Sequence, residues 1–263
     1  MRLIITAPGG KMGKVITAAA FADKRFSIVA GIGPAGRAYI GEDIGLVSGL
    51  GQPVGAPVAD DLEAVIDGCD VIIDFSTKAL SLAVLDLATR HKKALVCGTT
   101  GFSSAEAAEF KKASAQIPVI LAANTSRVVN CMNKLLELCA ATFGEEADIE
   151  IIEMHDRNKI DAPSGTSGEM GEIIARARGG RLHGLAVYGR HGAQPRVKGS
   201  IGYHSVRAGS TPSSHIVIFG FMGERLEIAH HSYNWECFAL GACAAAYFLK
   251  DKQPGLYSIQ DTL

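Results

Sequence analysis

The first half of the chain alternates strand-like runs with helix-like runs, and this alternation is the feature that most restricts its fold. Arg2–Thr6 is an apolar, β-branched run that ends at Pro8, and an alanine-rich helical segment follows two glycines. Further strand-like runs lie at 26–32, 70–75, 94–97 and 119–122, with helical patterns over 80–90 and from Ser104 onward. Such alternation predicts a parallel sheet with helices on both faces, as in a Rossmann-like α/β domain.

The pattern changes in the second half of the chain. Helices are predicted over 129–143 and 168–178, and strands over 148–153, 201–206, 215–219 and 225–229. Because the last three strands follow one another without helices between them, we expect an α+β domain with a mainly antiparallel sheet. The nearly apolar run 237–249 predicts a buried helix.

Composition excludes several classes of protein. The 263 residues are 48% hydrophobic and 20% charged, which is typical of soluble globular chains. A net charge of −1 argues against nucleic acid as the main partner. No apolar run reaches the ~20 residues of a membrane span, and the N-terminal run is too short for a signal peptide. The six cysteines form no CxxC pair, so we expect reduced thiols, no metal site and a cytoplasmic protein without a membrane partner.

A glycine-rich loop between the first strand and the first helix is the first candidate site. This context is that of a dinucleotide fingerprint, in which glycines let the backbone approach a pyrophosphate at a helix N-terminus. Ala7 or Pro8 replaces the first glycine of the motif, and the alternative is a glycine turn without a ligand. The candidate cofactor residues are Ala7, Gly9, Gly10, Lys11, Met12 and Gly13.

The end of the second strand indicates which nucleotide is preferred. NAD-binding proteins place an acidic residue there, on the ribose hydroxyls. Here the position is Gly33, and no acid occurs before Glu42. Without that carboxylate a 2′-phosphate is not repelled, and Arg37 can pair with it. The sequence therefore predicts NADPH, with NADH as the alternative.

The segment 153–166, EMHDRNKIDAPSGT, is dense in ionisable groups between two apolar elements. His155 and Lys159 are four residues apart and can share one face of a helical turn. Pro163 predicts a turn, after which Ser164, Gly165 and Thr166 open a helix whose N–H groups can hold a carboxylate. An imidazole, an ammonium and an anion site together suit proton delivery to an anionic substrate. The alternative is a solvated loop with a helix cap.

This segment resembles the E-x-H-H-x-x-K-x-D-A-P-S-G-T signature of the dihydrodipicolinate reductase family, which acts in the diaminopimelate–lysine pathway. Gly-Gly-Lys-Met-Gly is similar to that family's G-G-R-M-G. Other similar segments follow in the family's order: Asp74-Phe75-Ser76, Cys97 to Phe102, Ala122-Ala123-Asn124, Val206 to Gly209 and Gly223 to Ile228.

The resemblance implies an NAD(P)H-dependent reductase in which His155 donates or accepts a proton and Lys159 donates one. Gly165 and Thr166 would hold a substrate carboxylate. It also implies a homotetramer assembled through the second domain's sheet, and a C-terminal helix that returns to the nucleotide domain. The expected domains are therefore 1–126 with 236–263, and 127–235. The implied cofactor contacts are Phe75, Gly98, Thr99, Thr100, Ala122, Ala123, Asn124 and Thr125.

Three departures from the family pattern concern the substrate. Asp156 stands in place of a second histidine, and its carboxylate would repel a dicarboxylate unless it is protonated or paired with Arg157 or Arg127. Arg127 itself is a departure and a candidate substrate contact, and Trp235 stands where an arginine is common. The first hypothesis is reduction of 4-hydroxy-tetrahydrodipicolinate. The alternatives are a paralogous reductase of another imine or enamine acid, and a non-catalytic NADPH-binding sensor.

The remaining histidines and a basic loop give weaker signals. We expect His215 and His230 to have packing or surface roles, because no third ligand is spaced to form a metal site with the pair His230–His231. The glycine-rich stretch that holds Arg190 and Arg196 is expected to be an exposed loop.

Overall fold

The computed structural model describes all residues from Met1 to Leu263 and divides into two compact units. The first unit is Met1–Arg127 together with Trp235–Leu263, and the second is Val128–Asn234. Arg127 and Trp235, which were expected in the second domain, therefore belong to the first unit. None of the helices combines the length and hydropathy of a membrane span.

A seven-stranded, wholly parallel sheet forms the centre of the first unit, in the order β12-β6-β5-β4-β1-β2-β3. Its strands are β1 (Arg2–Thr6), β2 (Ser27–Ile32), β3 (Val58–Ala59), β4 (Val71–Asp74), β5 (Ala94–Cys97), β6 (Pro118–Leu121) and β12 (Gly255–Tyr257). Apart from the edge strand β12, whose Leu256 is exposed, the strands are largely buried and consist mostly of Val, Ile and Leu, as expected where helices cover both faces.

Five helices complete the first unit: α1 (Lys11–Ala22), α2 (Ile44–Val47), α3 (Lys78–Arg90), α4 (Ser104–Ala113) and α7 (Glu236–Leu249). Along β1, Leu3 and Ile5 face a core formed with α1 and α7, and Ile4 faces a core formed with α3 and α4. This alternation follows from the two-residue period of a strand. The predicted parallel sheet with helices on both faces is confirmed.

The second unit contains a five-stranded sheet in the order β11-β10-β7-β9-β8. The strands are β7 (Asp148–His155), β8 (Ala186–Tyr188), β9 (Ile201–Arg207), β10 (Ser213–Gly220) and β11 (Arg225–Ser232). The α+β fold is as predicted, but the sheet is mixed rather than mainly antiparallel. β10 runs antiparallel to β7 and β11, while β9 runs parallel to β7 and β8. Parallel neighbours need long connections, which α6 and residues 189–200 supply.

Both helices of the second unit, α5 (Arg127–Phe143, its first residue excepted) and α6 (Gly165–Ala177), pack on one face of this sheet. That face presents Ile149, Ile151, Val217 and Phe219, which are fully buried. The opposite face presents Ile152, Ile216 and Ile218, which remain partly exposed. One face of the sheet is therefore the core. The other carries no helix of this unit and presents this group of isoleucines beside the charged side chain of Glu150.

The helix α1 approaches the end of β1 very closely at Gly13. A Cβ added at Gly13 would lie 2.0 Å from the backbone oxygen of Ala7 and 2.8 Å from Cα of Pro8. Because backbone atoms cannot move aside as a flexible side chain can, we expect Gly13→Ala to lower the free energy of unfolding by about 1–3 kcal/mol. Urea denaturation measures the change. Gly68→Ala is the control, since a Cβ there meets no atom within 4 Å, and a loss as large in the control would refute the packing argument.

Candidate active site

The loop after β1 has the geometry of a phosphate cradle. Ala7 adopts a positive φ of 48°, the left-handed conformation that favours glycine at this position of the fingerprint. Its carbonyl accepts the N–H of Gly10 at 2.9 Å, and α1 begins at the next residue. Gly10 is the N-cap of α1 and has no side chain to cover the first N–H groups of the helix. The loop therefore fits a bound pyrophosphate, with Gly9 and Lys11 at its surface and Met12 packed partly into the core.

Lys11 has a specific partner beside this loop. Its ammonium nitrogen lies 3.5 Å from the centre of the Trp235 indole ring, and the indole in turn packs against Phe238 at the start of α7. Such a cation–π contact contributes about 0.5–2 kcal/mol, depending on its exposure. Trp235 therefore holds the Lys11 charge next to the cradle.

The end of β2 is organised by an aromatic ring rather than by an acid. A Cβ at Gly33 would lie 2.7 Å from the ring of Tyr39, and the same ring lies 4.0 Å from a Cβ built at Gly9. Tyr39 therefore occupies the region where an acidic side chain would bind the ribose. The sequence argument missed Tyr39, because a single aromatic residue in a loop carries no periodic signal. Arg37 lies in the exposed segment just before it.

A buried carboxylate joins the carboxyl ends of β1, β4 and β5. Asp74 is completely buried. It accepts the hydroxyls of Thr6 and Ser76, each at 2.6 Å, and that of Ser81. On the β5 side the Thr99 hydroxyl donates to it at 3.3 Å. The carboxylate thereby links the start of the glycine loop to the loop after β5, the two segments expected to contact the cofactor.

Phe75 and Gly98 are complementary in shape. A Cβ at Gly98 would lie 2.1 Å from the Phe75 ring, so the ring fills the space that any other residue would occupy. Thr100 follows in the same loop. Ala122 continues from β6 and donates its N–H to Cys97, and Ala123 comes next in the chain.

The last two residues of the segment 122–125 have local structural contacts. The Asn124 side chain accepts the N–H of Ser126 at 2.9 Å. Thr125 is buried, and its hydroxyl donates to the carbonyl of Phe238 in α7 at 2.7 Å. The Thr125 side chain therefore packs the segment against α7. Arg127, proposed from the sequence as a substrate contact, extends its guanidinium towards the carbonyl of Thr262 at 3.5 Å.

In the second unit, the end of β7 carries a buried imidazole–carboxylate pair. Nδ1 of His155 lies 2.6 Å from Oε2 of Glu153. Arg207 of β9 binds both oxygens of the same carboxylate, each at 2.8 Å. Burial lowers the pKa of His155, Glu153 opposes this, and the charges of Lys159 and Arg207 lower it further. The imidazole is therefore neutral near pH 7.

Lys159 lies at the end of the turn after β7, while His155 is the last residue of that strand. The two therefore do not share the helical turn that their spacing allowed. Its ammonium is 2.7 Å from Oδ1 of Asp161. The Asp156 carboxylate accepts the N–H of Asn158 at 2.8 Å, which closes the turn and gives this departure from the family pattern a local structural role.

The helix α6 begins at Gly165, as the 164–166 motif predicted and three residues before the start predicted from the helical pattern. Ser164 is its N-cap, and the side chain accepts the N–H of Ser167 at 3.2 Å. Gly165 and Thr166 form the first turn, at the positive end of the helix dipole. The Ser164 hydroxyl is thus committed to the cap, and the first turn is the part of the motif suited to an anion.

Two further histidines, His215 and His230, lie in a row with His155, and the sequence analysis missed them as site residues. The His215 ring lies 5.5 Å from that of His155, edge to face, and His230 stacks on His215 at 5.9 Å. His215 is completely buried, and burial lowers its pKa to about 3. Alternation along β10 places His215 on the core face, but the sequence does not show that Glu153 of β7 lies opposite it.

Family models match both units of the chain. Residues 1–125 match the model described as dihydrodipicolinate reductase, N-terminus. Residues 128–263 match the one described as dihydrodipicolinate reductase, C-terminus.

Comparison with solved structures shows the same fold in several enzymes. The chain is similar to the dipicolinate-bound dihydrodipicolinate reductase from Paenisporosarcina sp. TG-14, with 25% identity, a TM-score of 0.78, and 100% of this chain and 99% of that chain covered. It also has the fold of the amine dehydrogenase from Mycobacterium smegmatis, at 12% identity and TM-score 0.61, with 99% and 95% covered. The myo-inositol dehydrogenase from Corynebacterium glutamicum ATCC 13032 shows the same fold at 12% identity and TM-score 0.60, with 97% and 90% covered.

The glycine cradle and the Lys159–Gly165 segment thus lie in two units that match the two halves of one enzyme family. The chain belongs to the dihydrodipicolinate reductase family, the NAD(P)H-dependent oxidoreductases of lysine and diaminopimelate biosynthesis.

Proposed function

We propose that the substrate is 4-hydroxy-tetrahydrodipicolinate, reduced through dihydrodipicolinate to tetrahydrodipicolinate, with NADPH as the preferred cofactor. The observation that supports this most directly is the arrangement at residues 153–166. A neutral imidazole, an ammonium group and the positive end of a helix occur together there. A cyclic unsaturated dicarboxylate needs a proton donor and an anion site, and this segment offers both.

The first unit is suited to the nucleotide. Its cradle has the close strand–helix approach, the uncovered helix N-terminus and the Lys11 cation that a pyrophosphate requires. Bound there, a reduced nicotinamide nucleotide supplies a hydride. The loops that begin at Phe75, Gly98 and Ala122 follow neighbouring parallel strands, so they meet at the carboxyl edge of the sheet.

The second unit provides the proton and the substrate anchor in this proposal. Hydride addition to the conjugated ring leaves an electron pair that must take up a proton. The Lys159 ammonium donates it, and the ion pair with Asp161 orients that ammonium. The first turn of α6, at Gly165 and Thr166, binds a substrate carboxylate through the helix dipole.

The Lys159 assignment is tested by measuring NADPH oxidation with freshly generated dihydrodipicolinate and with a panel of other cyclic imines. General acid catalysis contributes about 10²–10⁴-fold, so we expect Lys159→Ala to lower kcat by a factor in that range with little change in the KM for NADPH. Lys198→Ala, in the same unit, should leave kcat unchanged. Turnover of another imine acid but not of dihydrodipicolinate would favour the paralogous reductase, and full activity of Lys159→Ala would exclude the proton-donor role.

The cofactor preference is tested at Arg37. A guanidinium–phosphate contact contributes about 1.5–3 kcal/mol, so Arg37→Ala should lower kcat/KM for NADPH by at least about tenfold. The value for NADH, which has no 2′-phosphate, should stay the same. Arg90→Ala, which removes another exposed arginine of the first unit, is the control. An equal fall with both cofactors, or a preference of the unaltered protein for NADH, would contradict the assignment.

We further propose that the protein is a homotetramer assembled through the apolar outer face of the second unit's sheet. Ile152, Ile216 and Ile218 lie side by side on β7 and β10, with Val206 on β9. Apolar side chains grouped on an uncovered sheet face are typical of subunit interfaces.

A charge on this face should weaken the assembly. We expect Ile216→Asp to raise the dissociation constant at least about tenfold, because an unpaired carboxylate would have to be desolvated in the interface. Analytical ultracentrifugation measures the distribution of species. Leu138→Asp, at an apolar residue of α5 that is 63% exposed, should leave it unchanged. A monomeric unaltered protein would disprove the proposal.

A further inference from the structure

The Glu153 carboxylate lies at the centre of the second unit's polar cluster and has no exposure to solvent. Oε2 faces Nδ1 of His155 at 2.6 Å and Nη1 of Arg207 at 2.8 Å. Oε1 faces Nη2 of Arg207 at 2.8 Å and the backbone N–H of Ser164 at 3.3 Å. The Arg207 guanidinium and the Ser164 backbone N–H can only donate hydrogen bonds to this carboxylate.

The charge of Glu153 follows from this set of donors. Burial raises the pKa of Glu153, but the hydrogen bonds from Arg207, Ser205 and His155 outweigh it, so the pKa lies below its usual range. A protonated carboxyl would turn one oxygen into a donor facing Arg207. The carboxylate is therefore ionised, and both of its oxygens act as acceptors.

An ionised Glu153 dictates which nitrogen of His155 carries the hydrogen. Nδ1 lies at hydrogen-bond distance from an acceptor, so Nδ1 must be the donor. The imidazole is neutral near pH 7, because burial lowers its pKa. Its other nitrogen, Nε2, therefore has a lone pair and accepts a hydrogen bond.

We propose that Glu153, itself fixed by Arg207, is a positioning residue that holds His155 as the Nδ1–H tautomer and leaves Nε2 as an acceptor. This inference rests on the proposed function, because it concerns the same site. This tautomer decides between the two roles that the sequence leaves open for His155, proton donor and proton acceptor. His155 in this form accepts a hydrogen bond at Nε2 and cannot donate a proton from it, so the proton comes from Lys159.

The titratable and charged groups around His155 belong to five elements. Glu153 lies on β7, Arg207 on β9, His215 on β10 with His230 beyond it on β11, and Lys159 on the turn. His215 is neutral because burial lowers its pKa, and it meets His155 edge to face. Glu153 is therefore the one anion in direct contact with the imidazole.

The variant Glu153→Gln distinguishes the positioning of the His155 tautomer from a packing role, because glutamine keeps the size of the side chain and removes its charge. An amide nitrogen at the Oε1 position would face two donors, those of Arg207 and Ser164. At the Oε2 position it would face one donor of Arg207, and His155 could adjust by switching its hydrogen to Nε2. The variant should therefore favour the Nε2–H tautomer.

The first experiment is nitrogen NMR of the sedimented, full-length protein with ¹⁵N-labelled histidine, in which His155→Asn identifies the His155 signals. We expect a protonated Nδ1 and an unprotonated Nε2 in the unaltered protein at pH 7, and the reverse in Glu153→Gln. A doubly protonated ring, or the Nε2–H tautomer in the unaltered protein, would overturn the proposal. This measurement needs no substrate, so its result stands whether or not the proposed reaction is correct.

The second experiment is the pH profile of kcat/KM with NADPH and the best substrate of the panel. Removal of the Glu153 charge destabilises the imidazolium, so the acid limb should move to lower pH. The maximal kcat should fall by about tenfold to 100-fold, the loss typical of altering a partner that orients a reacting imidazole. A fall in kcat with an unmoved acid limb would show a merely structural role.

Glu150→Gln is the matched control. Glu150 lies on the same strand and accepts hydrogen bonds from Arg190, Arg196 and His204, but its side chain is on the opposite face of the sheet. We expect this variant to leave both the His155 tautomer and the acid limb unchanged. If Glu150→Gln moved them as Glu153→Gln does, the specific role of Glu153 would be refuted.

Discussion

The buried ion cluster of Glu153 and Arg207 is the interaction on which the second unit's site depends. A buried carboxylate is strongly unfavourable unless it is paired and fully hydrogen-bonded, and here two strands, β7 and β9, and the start of α6 supply the partners. The same contacts place His155 at the end of β7 and Ser164 at the start of α6. Because the carboxylate binds both His155 and Ser164, the cluster ties the end of β7 to the start of α6.

The first unit uses a second buried carboxylate, Asp74, in a different way. Its donors are uncharged hydroxyls, from Thr6 before the glycine loop and from Thr99 after β5 among others. A carboxylate without a cation is held by the number of its hydrogen bonds. Asp74 thus couples two loops that arise from distant parts of the sequence, whereas Glu153 couples an imidazole to a helix start. In each unit a buried acidic side chain thus links the ends of strands to residues of the candidate site.

Local patterns made the first unit predictable, and long-range pairing limited the prediction of the second. Alternating runs and the glycine loop imply a parallel sheet, because each signal lies within one strand–helix repeat. The mixed order of the second sheet depends on the connection 189–200, whose composition does not reveal its path. Arg190 and Arg196 were expected in an exposed loop, yet both bind Glu150. His215 was not predicted as a site residue for the same reason, because only the pairing of β10 with β7 brings it next to His155.

The departures from the family pattern lie outside the clusters around Glu153 and Asp74. They therefore concern the recognition of a ligand and not the groups that these two side chains hold in place. Asp156 closes a turn by binding Asn158, and Trp235 holds the Lys11 ammonium where an arginine is common in the family. Neither residue contributes a hydrogen bond to Glu153 or Asp74. Exchanging a cation for an indole, or an imidazole for a carboxylate, changes the charge that a ligand meets. These exchanges leave the contacts of His155 with Glu153 in place, so the proposed proton delivery from the 153–166 segment is compatible with a changed substrate preference.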